Sequence, residues 1–213
     1  MMHRDPKQIV RDGYDLVSHA YRSDDFVYER SEYRKLLSWL GPLLPPGSRV
    51  LDVGCGCGIP IARELARDHQ IVGVDISPVQ IARGRQLVPN ADFRCESITN
   101  SDFAPGSFAA IVAFYAIIHI PLAEQEALLD AFVRWLAPGG FVLLTVGSKA
   151  WTGIEHDWQG VQGATMYWSH THVGTYREWL VARRLTVLEE GFHAEGNAGH
   201  HVFLAQAPAT SAA

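Results

Sequence analysis

Between Arg49 and Val146 the chain alternates short apolar runs with longer amphipathic ones, and this alternation restricts its fold more than any other feature. The apolar runs are Arg49 to Val53, Gln70 to Asp75, Asp92 to Glu96, Ala109 to Phe114 and Phe141 to Val146. The spacing between them predicts helices over Ile59 to Asp68, Pro78 to Leu87 and Ala123 to Leu136. Strands that are apolar along their whole length are covered on both faces, which calls for a parallel sheet with helical, right-handed crossovers. The fold class is therefore α/β, with a doubly wound sheet.

Two amphipathic stretches precede this core, Asp5 to His19 and Glu29 to Leu40, and read as helices before the breaker Gly41-Pro42-Leu43-Leu44-Pro45-Pro46-Gly47. After it, Ser148 to His172 is rich in Gly, Trp and His without a clear period, and is expected to be a loop lacking regular structure. A helix from Thr175 to Arg183 and two β segments, Leu185 to Glu190 and His201 to Ala207, close the pattern; the small-residue tail from Pro208 to Ala213 is expected to be disordered. At 213 residues one domain is expected, over 1–207: a helical cap (1–45), a ligand-binding core (46–147), a lid (148–174) and a C-terminal helix with strands (175–207).

The net charge of -5 argues against a nucleic-acid partner, whose affinity draws on clustered Lys and Arg. Neither a signal-like segment nor an apolar run of spanning length is evident, so the expected location is the cytoplasm, without membrane contact, as a monomer or homodimer. Cys55, Cys57 and Cys95 are too few and too close for a zinc set, and no metal is expected.

The loop after the first strand reads Asp52-Val53-Gly54-Cys55-Gly56-Cys57-Gly58. Its Gly-x-Gly-x-Gly spacing, preceded by an acid, differs from the dinucleotide pattern; a carboxylate there suits a cationic ligand better than a pyrophosphate. The next strand ends on Asp75, placed to accept from a ribose diol, while Ser77 before Pro78 is the better helix cap. A nucleoside with a cationic centre and no pyrophosphate is S-adenosylmethionine.

The runs Val50 to Gly58 and Val72 to Ser77 resemble the first two motifs of the class I S-adenosylmethionine-dependent methyltransferases. Phe93 to Ser97, Gly106 to Phe108 with Ile117 to Pro121, and Leu136 to Phe141 resemble the later stations, so the likeness covers about residues 30 to 147. Departures are Cys57 where the family often has Thr or Ser, Glu96 where it has Asp, and Ala109 where it has Asp. The resemblance implies a Rossmann-like, mostly parallel sheet with an antiparallel C-terminal strand, S-adenosylmethionine as cofactor and S-adenosylhomocysteine as product. It also implies roles for individual residues. Gly54, Cys55 and Gly56 pass the methionine moiety, and Asp75 with Ile76 takes the ribose. Glu96 and the backbone of Ser97 or Ile98 meet the adenine, and Phe114 and Tyr115 lie near the sulfonium. Asp52 orders the loop or reaches the methionine amine, and Tyr14 and Tyr21 either fold over the cofactor or pack the first helix down.

For the acceptor, a small molecule with an oxygen nucleophile is favoured, since the position after strand four reads Ala113-Phe114-Tyr115-Ala116 and lacks the Asn-Pro-Pro-Tyr that grips planar nitrogens. Transfer to nitrogen, sulfur or carbon and a non-catalytic sensor are the alternatives. His119 is the first candidate base, with a backbone-bonding structural role as its rival, and His170 and His172 follow. Tyr14, Trp151, Tyr167 and Trp168 are expected to hold the acceptor.

Overall fold

A computed structural model describes residues 4–195 and 198–209. Its centre is a parallel array of β1 (Arg49–Val53), β2 (Gln70–Asp75), β3 (Asp92–Cys95), β4 (Phe108–Ala113) and β5 (Leu136–Gly147), continued by β8 (Thr186–Glu195) and β9 (Ala198–Gln206). The order is β3-β2-β1-β4-β5-β9-β8; β9 runs antiparallel to both of its neighbours. The chain leaves β1 toward β2 and returns to its other side with β4, and at such a reversal the loops diverge and open a crevice at the carboxyl ends of the strands. The fold class read from the sequence holds.

Crossover helices α3 (Ile61–Leu65), α4 (Pro78–Leu87) and α5 (Leu122–Trp135) cover the sheet together with α2 (Glu32–Leu40) and α6 (Val173–Ala182). Leu51, Ile111 and Val142 face a layer of Leu128, Phe132 and Trp135 on one side, and Val50, Ala110 and Leu143 face Leu36, Leu40 and Ile81 on the other, all buried. Helix α3 is shorter than its apolar pattern suggests, because Pro60 supplies no N–H and delays its start.

Two expectations need correction. Residues 148–172 are not a structureless loop: β6 (Trp151–His156) and β7 (Thr165–His170) pair in an antiparallel hairpin, with Trp151 opposite His170 and His156 opposite Thr165. The pattern is hidden because β6 is almost wholly exposed, with Trp151 and Ile154 turned to solvent, so no apolar alternation marks it. The C-terminal strands are also longer than their apolar cores. β8 continues through Gly191, Phe192 and His193, where the ladder to β9 rather than burial sustains the pairing. At the end of the chain, the Pro208 carbonyl accepts from Gly139 N–H at 2.8 Å, and residues 210–213 of the expected disordered tail lie outside the described residues.

Helix α1 (Pro6–Tyr21) begins where Asp5 caps the Lys7 N–H and Pro6 fits the first turn. It lies across the open end of the sheet, against β7 and α4, and Gly13 lets it approach the Thr165 carbonyl and the Met166 side chain. Among the described residues no helix is long and apolar enough to cross a membrane.

Candidate active site

The crevice beyond β1, β2 and β4 holds a cavity of about 730 Å³ including its open mouth. Gly54 and Gly56 make its floor at φ 66° and 55°, left-handed values that glycine adopts without strain. The loop is clipped to β2: the N–H groups of Gly54 and Cys55 both donate to the Val74 carbonyl, at 2.8 and 3.1 Å. One carboxylate oxygen of Asp75 accepts from Gly56 N–H at 2.9 Å and the other from Ser77 N–H at 2.8 Å, so this side chain joins the glycine loop to the start of α4. Burial pushes the Asp75 pKa up to about 6, outweighing these two bonds. Ile76, Glu96, Ser97 and Ile98 form the wall beyond β2 and β3, and Phe114, Tyr115 and His119 the wall beyond β4.

Tyr14 and Tyr21 of α1 roof this cavity together with Lys7 and Val10. The helix is held by polar clamps at each end. Lys7 Nζ donates to Glu124 at 2.6 Å and to Thr99 at 2.8 Å, and buried Arg83 donates to the carbonyl and hydroxyl of Ser18 at 2.7 Å. Between them Asp15 accepts from the Ser77 hydroxyl.

Asp52 and Cys55 face a smaller adjoining space shared with Gly54 and Gly56. Asp52 is 2% exposed, its Oδ2 has no protein partner, and burial followed by the nearby Asp75 carboxylate raises its pKa well above the ordinary carboxylate range. Across the same space stands Arg22, whose Nε is likewise buried and without a protein partner, while its Nη2 donates to the Tyr33 hydroxyl at 2.8 Å. A buried acid and a half-buried guanidinium, each with one buried atom to satisfy, match an α-amino acid group with its ammonium and its carboxylate.

A third cavity, about 840 Å³ including its open mouth, shares Tyr14, Tyr21, Tyr115 and His119 with the first. His119 Nδ1 lies 2.8 Å from the Tyr167 carbonyl, which accepts only, so Nδ1 carries the proton. Nε2 is then the acceptor, and the Tyr14 hydroxyl lies 3.2 Å from it. Burial pushes the His119 pKa down to about 4 against the upward pull of the Tyr167 bond, so the imidazole is neutral across the physiological range. Burial also raises the Tyr14 phenol well above its ordinary value.

Strained backbone sets two rings of this cavity. Tyr115 sits at φ 55°, with its N–H donating to Thr145 Oγ1 at 2.6 Å, and Trp158 lies between Asp157 at φ 51° and Gln159 at φ 58°. Left-handed non-glycine residues of this kind cost free energy and persist where surrounding contacts hold them.

The structure thus brings Tyr14, Tyr21, Gly54, Gly56, Asp75, Ile76, Glu96, Ser97, Ile98, Phe114, Tyr115 and His119 around one cavity. Four residues expected at the acceptor or catalytic site do not line these cavities. His170 packs on Trp151 and bonds the Lys149 carbonyl on the outer part of the hairpin, and His172 is exposed at the start of α6; neither lines the three cavities. Trp151 is 47% exposed, and Tyr167 contributes its carbonyl, not its ring. Trp168 does line the third cavity, 4.4 Å from the His119 ring, together with Trp158. Sequence reasoning missed Arg22, Tyr33, His193 and His200: Tyr33 belongs to the periodic pattern of α2 and reads there as a packing residue, while the α1–α2 connection and the paired ends of β8 and β9 carry no periodic signal that brings the others to it.

A family model described as a methyltransferase domain matches residues 50–140. The 2-methyl-6-phytyl-1,4-hydroquinone methyltransferase of Synechocystis sp. is 32% identical over 127 residues, 56% of this chain and 39% of its own length. A ubiquinone biosynthesis O-methyltransferase of Xanthomonas campestris is 36% identical over 108 residues, 47% of this chain and 43% of its own length. The chain therefore spans about two-fifths of the length of these curated relatives. The crystal structure of magnesium protoporphyrin IX methyltransferase from Synechocystis PCC 6803 with bound SAM superposes with a TM-score of 0.71 at 17% identity, covering 97% of this chain and 99% of that one, which shows a shared fold. Residues 50–140, which carry the glycine loop and its acids, are thus similar to a methyltransferase domain, within a sheet whose fold is shared with a solved S-adenosylmethionine-dependent methyltransferase.

Proposed function

We propose that the chain moves a methyl group from S-adenosylmethionine to an oxygen nucleophile of a small molecule, leaving S-adenosylhomocysteine. The observation that carries this reading is the meeting of two cavities at Tyr14, Tyr115 and His119, one walled by nucleoside-type carboxylates and the other by aromatic rings.

In this reading Asp75 accepts from the ribose hydroxyls, Glu96 from the adenine amino group, and the backbone of Ser97 or Ile98 meets the ring nitrogens. Gly54 and Gly56 leave room for the methionine chain, whose ends pair with Asp52 and Arg22. When bound, S-adenosylmethionine supplies an electrophilic methyl group on a sulfonium whose positive charge disappears on transfer. Phe114 and Tyr115 present ring faces to that charge. Roofing by α1 excludes water and holds the acceptor hydroxyl near Tyr14.

The proton released by the acceptor passes to the Tyr14 oxygen as Tyr14 hands its own to His119 Nε2. The Tyr167 carbonyl keeps the Nδ1–H in place throughout, which fixes the tautomer that receives at Nε2.

The direct test measures S-adenosylmethionine binding by calorimetry and S-adenosylhomocysteine release across a library of hydroxyl, amine, thiol and carbon acceptors. Binding with release from hydroxyl acceptors is expected. Release only from amines, thiols or carbon acids moves the reaction to those atoms, and binding without release from any acceptor leaves a cofactor-binding protein without turnover.

A further inference from the structure

The third cavity identifies the chemical class of the acceptor, an inference that rests on the methyl-transfer reading above. We propose that it takes an uncharged, planar aromatic alcohol, seated ring-first against the surface formed by Trp158, Trp168 and Tyr115 with its hydroxyl toward Tyr14.

Three observations carry this. First, the inner walls are ring faces. Trp168 is stacked on His200 with planes 20° apart, Tyr115 meets His200 edge-on, and Trp158 stacks on Tyr21 at 30°. Flat walls of this kind reward a flat guest through offset and edge contacts that a saturated ring of equal size cannot make.

Second, Arg22 and Glu32 are, among the described residues, the only Asp, Glu, Lys or Arg side chains that line the cavity. Arg22 is bonded to the Tyr33 hydroxyl with its guanidinium carbon 4.2 Å from the Phe26 ring centroid, Glu32 lies at the mouth 3.8 Å from His193 Nδ1, and burial keeps His119 neutral. A cationic acceptor would add a second positive charge beside the sulfonium, and a carboxylate acceptor would compete with the methionine carboxylate for Arg22.

Third, the nucleophile must arrive with a proton to give up. The Tyr14 to His119 path receives one, and an acceptor that is already an anion has no use for it.

The backbone strain at Tyr115, Asp157 and Gln159 places two of these rings, so they mark the cavity as a built site and not as leftover space between the hairpin and α1.

The test uses four size-matched probes, phenol, cyclohexanol, benzylamine and benzoate, titrated at pH 7 into full-length protein saturated with S-adenosylhomocysteine, with tryptophan fluorescence and calorimetry as readouts. Phenol should bind at least about tenfold tighter than each of the other three, the gain expected for two aromatic contacts over an apolar one. Trp158→Ala should bring phenol down to the level of cyclohexanol without altering S-adenosylhomocysteine affinity. Equal binding of cyclohexanol overturns the aromatic assignment, preference for benzylamine replaces it with an amine acceptor, and preference for benzoate with a carboxylate. The loading step is scored separately: protein that does not bind S-adenosylhomocysteine refutes the cofactor reading itself, before any probe is added. Should Trp158→Ala fail to fold, Trp168→Ala provides the same comparison from the adjoining ring.

Discussion

The Tyr14 hydroxyl and His119 Nε2 stand 3.2 Å apart although 105 residues separate them in the chain, and they meet at the boundary between the two large cavities. His119 is fixed from behind by the Tyr167 carbonyl of the hairpin, and Tyr14 is delivered from above by α1. A pair assembled from the loop after β4, a helix and a hairpin forms only when all three are in place, which ties proton acceptance to closure of the roof.

Removing this pair should affect the rate and spare the cofactor. His119→Ala is expected to lower kcat by about 10² to 10⁴, the usual range for a general base, and Tyr14→Phe by a comparable factor, with S-adenosylmethionine affinity within about twofold of wild type. Because His119 titrates at about 4, the kcat of the wild type should stay level from neutral pH down to about 5 and fall only below that. Stopped-assay profiles from pH 4 to 9 with a working acceptor provide the check; an acid limb centred near 6.5 in kcat would show that His119 is not the base.

Asp75 gives a second pH dependence. Its folded pKa of about 6 lies above the ordinary 3.8, so the carboxylate is disfavoured in the ligand-free fold. The stability it contributes is therefore full below about 3.8 and is lost as pH rises through about 6. Hydroxyl donors from a bound ribose reverse that penalty, so the thermal upshift on adding S-adenosylhomocysteine should grow as pH is raised from 5 to 7. Asp75→Ala is expected to flatten this trend and to weaken binding at least about tenfold at pH 7.5, the loss of a charge-assisted hydrogen bond. Differential scanning fluorimetry at several pH values, paired with calorimetry, measures both. An unchanged affinity in the folded variant would remove Asp75 from the site.

The two loop glycines should respond differently to substitution. A Cβ at Gly54 meets the Ala116 side chain and has nowhere to go, whereas one at Gly56 has its nearest neighbour, Gln80, at 4.0 Å and projects into the cavity space. Gly56→Val is thus expected to fold, at a cost of about 1–2 kcal/mol for a branched residue at positive φ, while losing cofactor binding. Gly54→Val should lose both. Far-UV circular dichroism with calorimetry separates the outcomes, and normal binding by folded Gly56→Val would put the cofactor elsewhere.

The core of the fold was legible because β1, β2, β4 and β5 are buried on both faces, and a continuous apolar run leaves few other readings. The cofactor cavity was legible for a related reason: its residues sit at strand ends, where chain position and spatial position coincide. The acceptor cavity was not. β6 pairs through backbone bonds with its side chains in water, so Trp151 and Trp168 look equivalent in sequence; they share one face of the hairpin with rings 6.1 Å apart, and what separates them is the contact of Trp168 with His119, made by the fold and not by the local pattern. His170 sits on that hairpin face bonded to the Lys149 carbonyl, and His172 stands at the start of α6, so neither lines the cavities that His119 reaches. His193 and His200 face each other across the β8–β9 hairpin, and Arg22 lies far earlier in the chain at the end of α1, so they gather only where that hairpin reaches α2.

The roof itself offers the sharpest structural test. Helix α1 can lie on β7 because Gly13 has no side chain, and any Cβ there would run into the Thr165 carbonyl, a backbone atom that cannot move aside without breaking the hairpin. Gly13→Leu should therefore lift the middle of α1. Neither the sheet nor the helices that form its two cores depend on this contact, so the variant should remain folded with only a modest loss of melting temperature. Overpacking of this kind costs about 1–3 kcal/mol, which would loosen the closed position of α1 by about 5- to 150-fold. Tyr14 would leave His119 and Tyr21 would leave the cofactor cavity together, so kcat should fall as in Tyr14→Phe while S-adenosylmethionine affinity also drops, the double effect that Tyr14→Phe lacks. Limited proteolysis should cut within residues 5–22 faster than in wild type, and saturating S-adenosylhomocysteine should slow that cleavage in the wild type more than in the variant. A Gly13→Leu protein with wild-type kcat and wild-type protection would show that α1 takes no part in closing the site.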